Sequence, residues 1–338
     1  MPHLLLDDPI QLLKAGWEEY VLQHADGCFF QTPQAYRLFA ETAGYEPLVV
    51  GLIDENTKRI KGVFVSVLQQ ENTIYRTLTR RSIAWGAPLA GSPHDSQELL
   101  KAYDDRLRHK AIYSQIRNLN NQSETKTPFE AFGYQYKSHL NSIVSTKGRN
   151  ENELLTAMSK SRARQIRKGL EKASIAEAVT EQEFLAYHSI LSRLYKNKVG
   201  KPLPPTSFFK AFRETIIPNG YGKLFLVKLQ NEVIGGILCA VMPGKAIYEW
   251  YIAGLDDEYR EIYPSVLATW AAIRHAANAG LDHFDFLGAG SPDSAYGVRE
   301  FKERFGGETV EYGRFEKVHH PVLMKIGTFG IRMKQWIR

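Results

Sequence analysis

An α+β fold made from one unit used twice is what this 338-residue chain predicts, on three matched features. Residues 48–68 (LVVGLIDENTKRIKGVFVSVL) and 224–242 (LFLVKLQNEVIGGILCAVM) both read as a strand, a polar turn and a Gly-bearing second strand. Each pair leads into a strand of aromatic and small residues, SIAWGAPLAG at 82–91 and AIYEWYIAG at 246–254. Each of these leads into a helix, expected at roughly 97–118 in the first half and 264–279 in the second. Hairpins alone are common, but the same order in both halves points to duplication, at a spacing far above solenoid periods.

The second half is the better marked. Its hairpin turns at Gln230-Asn231-Glu232, and Gly235-Gly236 mark the second strand, as Gly62 does in the first half. Pro264 suits the first turn of the following helix, and Leu267, Trp270, Ala271, Ile273 and Ala277 recur near helical spacing. Gly280 is its stop. LDHFDFLGAG (281–290) then alternates as a strand, with Phe284 and Phe286 on one face and His283 and Asp285 on the other. A polar stretch around STKGRNENE is expected to join two domains, 1–147 and 148–318, with a basic tail at 319–338.

Composition narrows the class. Lys and Arg exceed Asp and Glu by 43 − 37, a net charge of +6 that suits anionic partners without naming one. The apolar share is that of an ordinary globular protein, without long disordered tracts. Cys28 and Cys239, the two cysteines, are too few for a disulfide scaffold or a zinc site, so no metal is expected. The start, MPHLLLDDPI, has acids where a signal peptide needs bases, and no apolar run approaches the roughly 20 residues that span a bilayer. A cytoplasmic protein is the expectation.

Two constellations could carry chemistry. YGVREFKERFGG (296–307) sets Phe301 and Phe305 one helical turn apart with Lys302 beside them, and Tyr296 and Arg299 upstream. A lysine desolvated by rings is well placed to neutralise an oxyanion or phosphate. Two core rings beside an exposed lysine is the plainer reading, and spacing alone favours it. SKSRARQIRKGLEK (159–172) is a basic helix on which Lys160, Arg164, Arg167 and Lys168 share one side, with Ile166 and Leu170 near the other. It suits diphosphate or nucleic-acid backbone, although a solvated face is the commoner meaning of such a run. Metalloprotease, P-loop and nucleophile-elbow motifs are missing. GAGSPDSAYG (288–297) lacks the Gly-Lys-Ser/Thr of a P-loop and reads as a flexible loop leading into the Lys302 segment.

The run from Tyr296 to Val318, with F-K-x-x-F-G at Phe301–Gly306, resembles the carboxyl-terminal signature of the Fem-type peptidyltransferases. The helix–strand pair at 263–288, the basic helix, and CFFQTPQAYRLF at 28–39 fit the same pattern, so the likeness covers nearly the whole chain. The resemblance implies tandem GNAT-like domains, with mixed sheets flanked by helices. It implies an N-acyltransferase that moves an aminoacyl or acyl group from a donor, aminoacyl-tRNA before acyl-CoA, with no tightly bound cofactor. The implied acceptor is an amine of a cell-wall or exopolysaccharide precursor, diphosphate- or lipid-linked, met at the inner face of the membrane.

On this likeness Lys302 and Phe301 are the catalytic candidates, the lysine stabilising developing charge and the phenylalanine shaping the donor pocket. Arg299, Tyr296, Asp285, Arg162, Arg164, Arg167, Tyr251 and Trp250 are the substrate-binding candidates. Lys302→Ala is expected to abolish transfer and leave the fold intact. Acyl-CoA users of this superfamily carry a Gly-rich turn whose amides hold the pyrophosphate. Here Glu261-Ile262-Tyr263-Pro264 stand in its place, which disfavours CoA. An acyl-CoA-dependent N-acetyltransferase and a non-catalytic RNA- or glycan-binding module are the alternatives. The tail is expected to touch a membrane surface through Ile326, Phe329 and Met333 or to pack on its domain. The oligomeric state is left open.

Overall fold

The computed structural model describes residues 3–70, 80–122, 126–199, 202–293 and 297–325. The chain divides into two compact units, residues 1–138 with 312–338, and residues 139–311.

In the first unit, strands β1 (His3–Leu6), β2 (Tyr45–Asp54), β3 (Ile60–Gln69), β4 (Arg81–Trp85), β5 (Leu89–Ala90), β6 (Tyr113–Arg117) and β7 (Gln135–Lys137) form one sheet. Its order is β1-β2-β3-β4-β6, then Arg314–Val318, then β7, with β5 on β3. The expected hairpin is β2–β3, in register from Tyr45↔Gln69 to Ile53↔Ile60. Pro93–Leu107 is the helix, capped by Ser92. It starts and ends earlier than the expected 97–118, and β6 follows after a short turn.

Between β3 and β4 the buried Gln31 side chain stands in for strand pairing. Its Oε1 accepts from Val65 N at 2.8 Å, and its Nε2 donates to Val65 O and Trp85 O at 3.1 and 2.8 Å. That accounts for the glutamine in the 28–39 segment, because unpaired backbone groups at a buried ladder gap are costly.

The second unit repeats the plan. β8 (Leu140–Ser145), β9 (Ser174–Glu177), β10 (Gly222–Leu229), β11 (Glu232–Met242), β12 (Ala246–Gly254), β13 (His283–Asp285) and β14 (Glu308–Glu311) are ordered β14-β8-β13-β12-β11-β10-β9. β10–β11 is the second hairpin, and Pro264–Asn278 is the expected helix. Its Leu267, Trp270, Ile273 and Ala276 are fully buried against the sheet, each large side chain contributing about 1.5–3 kcal/mol.

Two strands fall outside the expected domain limits. β8, placed before residue 147 in the first domain, pairs with β13 and β14 of the second sheet. Arg314–Val318, β15, placed before residue 318 in the second, pairs with β6 and β7 of the first. Phe315 stacks on Phe129 with centroids 4.1 Å apart. Each unit therefore completes its sheet with a segment on the far side of the anticipated join. Among the described residues no helix is long and apolar enough to cross a membrane.

Candidate functional site

The second unit contains an opening in its sheet. β12 and β13 run parallel and pair only from Ala246↔His283 to Tyr248↔Asp285. From Glu249 onward β12 has no strand partner on that side among the described residues. In the first unit the corresponding parallel pair, β4–β6, is matched along all of β4, and Gly86 N extends it to Arg117 O.

A β-bulge coincides with the opening. Leu238 faces Tyr251 and Cys239 faces Glu249, so Trp250 is the extra residue. An inserted residue breaks the strand's alternation, and Trp250 and Tyr251 lie on one side. Their centroids are 5.1 and 5.9 Å from that of Phe208, and their planes are within 12° of parallel. The Tyr187 hydroxyl donates to Tyr251 O at 2.8 Å and anchors the bulge. Both rings remain part-exposed.

Glu249 is buried, and its carboxylate meets Lys302. Nζ of Lys302 lies 3.4 Å from Glu249 Oε1 and donates to Phe286 O and Gly288 O, each at 2.8 Å. Lys302 is 7% exposed, so the plainer expectation of a surface lysine does not hold. Its three protons face three internal acceptors. Burial raises the Glu249 carboxyl above its ordinary range, with Lys302 and Thr269 drawing it partly back.

Asp285, wholly buried, is raised by the same desolvation. Its Oδ1 accepts from Asn141 Nδ2 at 2.9 Å and Leu287 N at 2.6 Å, while Oδ2 has no hydrogen-bond partner among the described residues. Leu287 has a φ of 54°, a left-handed conformation rare for leucine. Asn141 Oδ1 accepts from Gly288 N, and Arg299 donates to Ala289 O and Ser291 O. Residues 288–291, the start of the loop expected to be flexible at 288–297, are therefore held from both sides by named side chains.

Phe301 and Phe305 do share a face, their centroids 5.3 Å apart, and what lies against them is Arg162. Arg162 is 3% exposed, so it does not stand with the solvent-facing cations. Arg164 and Arg167 are exposed and carry no ion pair among the described residues. The signal was present in the helix period, since Arg162 falls four residues before the buried Ile166. Glu249 is not among the residues that motif and spacing single out, although one carboxylate in an otherwise apolar strand suggests a buried partner. Tyr296 and residues 326–338 of the tail lie outside the described residues.

The turn before Pro264–Asn278 does not fit a pyrophosphate. Proline at its first position has no N–H, and Ser265 N donates to Asp256 Oδ1 at 3.1 Å. A diphosphate there would meet the Asp256 carboxylate. Glu261 is exposed and ion-paired with Lys172.

Residues 159–303 match the family described as acetyltransferase (GNAT) domain. No curated protein matches the chain. Among solved structures it is similar to FemX, at 14% identity and a TM-score of 0.71, over 96% of this chain and 99% of that one. It is also similar to a tandem GNAT protein from the clavulanic acid biosynthesis pathway, at 10% identity and a TM-score of 0.58 over 95% and 99%. A conserved protein of unknown function from Bacteroides thetaiotaomicron matches at 8% identity and a TM-score of 0.59 over 93% and 99%. The fold is the tandem GNAT-like α+β architecture, and the likeness to FemX is a likeness of fold over nearly the whole chain.

Proposed function

We propose that this chain is an N-acyltransferase that moves an aminoacyl or acyl group onto an amine of a cell-envelope precursor, working in its second unit. One observation carries the reading: a parallel strand pair parts at Tyr248, beside the buried Lys302–Glu249 pair. Open sheets receive ligands at the carboxyl ends of such strands. Past Tyr248 no strand pairs with β12 on that side among the described residues, which leaves room for an extended donor, and Trp250 and Tyr251 wall the transferred group.

In the reaction, the acceptor amine attacks the donor carbonyl, a C–N bond forms, and the C–O bond of the ester breaks with its electrons leaving on oxygen. Lys302 supplies positive charge near the developing oxyanion and holds the 286–288 backbone in place. Glu249, made more basic by burial, takes the proton that the amine loses. Phe301 acts from behind, through its contact with Arg162.

An aminoacyl ester such as aminoacyl-tRNA is the favoured donor, because Asp256 and Pro264 occupy the helix start where CoA would place its pyrophosphate. Arg164 and Arg167 are available for the diphosphate of an acceptor presented at the inner face of the membrane. An acyl-CoA-dependent N-acetyltransferase is the second reading, favoured by the family match at 159–303.

The test compares thermal shift and transfer with aminoacyl-tRNA, acetyl-CoA and a nucleotide-sugar precursor. Ligand at 100 times its dissociation constant stabilises by about 2.7 kcal/mol, so silence with acetyl-CoA and a shift with the ester donor supports the proposal. Acetyl transfer from acetyl-CoA would install the second reading. Salt-sensitive RNA binding with no transfer from any donor would leave a binding module.

A further inference from the structure

Arg162 belongs, by sequence, to a basic helix that suits anions, yet its surroundings are those of a clamp. Its guanidinium carbon lies 4.5 Å from the centroid of Phe301 and 4.4 Å from that of Phe305. Nη2 donates to Phe301 O at 3.0 Å and Nη1 to Gln165 Oε1 at 2.9 Å. Nε is buried with no hydrogen-bond partner among the described residues. Burial, with Arg304 nearby, lowers its pKa to about 10. A methionine or leucine would fill the gap between the rings without that desolvation cost.

What arginine adds is a planar fork that stacks on rings and donates at its edge. The acceptor is the carbonyl of Phe301, the residue before Lys302, in the last turn of the seven-residue helix Gly297–Glu303. The final carbonyls of a helix lack partners within it and attract cations. The helix that carries Arg162 is itself firmly seated. Ser159 caps it and bonds through its N–H to Arg304 O at 3.0 Å. Gly169 packs so closely that a Cβ there would lie 2.4 Å from Ile262 O. Arg162 therefore ties a rigid helix to the segment that aims Lys302.

We infer that Arg162 is a positioning residue, which sets Lys302 against Glu249 and the 286–288 carbonyls through the Phe301 carbonyl and the two rings. The inference rests on the acyl-transfer reading for its kinetic consequence but not for its structural one.

Two variants test it. Arg162→Met keeps the packing and removes the donor, and Arg162→Lys keeps the charge and removes the fork. The Glu249 carboxyl is titrated by 13C NMR, which needs no activity. Steady-state kinetics are measured with a donor and acceptor that the wild type turns over. In Arg162→Met, Glu249 is expected to titrate higher, since Lys302 drifts from it. Its kcat is expected to fall about 10- to 100-fold with the acceptor KM unchanged. Arg162→Lys is expected to recover only part of that loss.

A wild-type Glu249 titration in Arg162→Met would overturn the inference. So would a raised acceptor KM at constant kcat, which would make Arg162 an anion ligand after all. Should Arg162→Met not fold, wild-type titration and kcat in Arg162→Lys would overturn it equally. Absence of transfer by the wild type from any donor would sink the functional proposal while leaving the titration to decide the role of Arg162.

Discussion

Nζ of Lys302 lies 3.4 Å from Oε1 of Glu249, and both side chains are more than nine-tenths buried. Two charges taken out of water at that separation depend on each other far more than a surface pair does. The two carbonyls that also receive Lys302 tie this pair to the 286–288 backbone.

Lys302→Met is therefore expected to destabilise the protein by about 3–5 kcal/mol, since it strands a buried carboxylate. This revises the expectation that losing the lysine leaves the fold intact. Lys302→Met with Glu249→Leu is expected to regain a large part of the loss. Urea unfolding of the two single variants and the double variant checks this. Additive losses would show that the two groups are not coupled.

Stability should also depend on pH through Glu249. Burial raises its carboxyl above the ordinary 4.5, so the folded chain keeps a proton that the unfolded chain releases. Its contribution is then present below about 4.5 and is lost as pH rises through the higher native value. Relative to wild type, Glu249→Gln is expected to gain stability over that window, by at most about 1.4 kcal/mol per pH unit. Urea midpoints measured from about pH 4 to 8 give the slope. A difference that is constant with pH, or that falls as pH rises, counts against the assignment.

Tyr187 is fully buried, and its hydroxyl serves the bulge carbonyl of Tyr251. Tyr187→Phe is expected to cost about 1 kcal/mol, in line with one net hydrogen bond. Because the bulge aims Trp250 and Tyr251, transfer should slow as well. Thermal unfolding and initial rates report the two effects separately, and an unchanged rate would detach the bulge from the reaction.

Arg164 and Arg167 face solvent, away from the Arg162 clamp. Charge reversal of both to Glu should leave stability within about 0.5 kcal/mol, as surface changes do. Binding of a diphosphate-bearing acceptor should weaken at least about tenfold, with a flatter salt dependence. Calorimetry at two ionic strengths measures it, and unaltered affinity would remove these arginines from the acceptor site.

The chain's own pattern made much of this legible. The hairpins at 48–68 and 224–242 and the helix from Pro264 follow from local period and punctuation, and the structure contains each; of the strand expected at 281–290 it keeps His283–Asp285, and Phe286 falls outside it. Arg162 could have been separated from Arg164 by extending the buried stripe of Ile166 and Gly169 back one turn. The helix expected at 97–118 ends at Leu107, where no strong stop marks the sequence, and Tyr113–Arg117 pairs with β4 and β15 instead.

The repeated order of elements and the residues that share a face are local properties, because backbone geometry sets them over a few neighbours. What covers each face comes from long-range packing. β8 and β15 are assigned to their sheets by pairing with distant strands, such as Phe315 with Ile116, which leaves no local trace. The same holds for the FKERFG segment, whose spacing fits a surface lysine beside two rings. Burial against Glu249, Phe286 and Gly288 made Lys302 an internal cation, since an ammonium removed from water takes whatever acceptors the fold brings within reach.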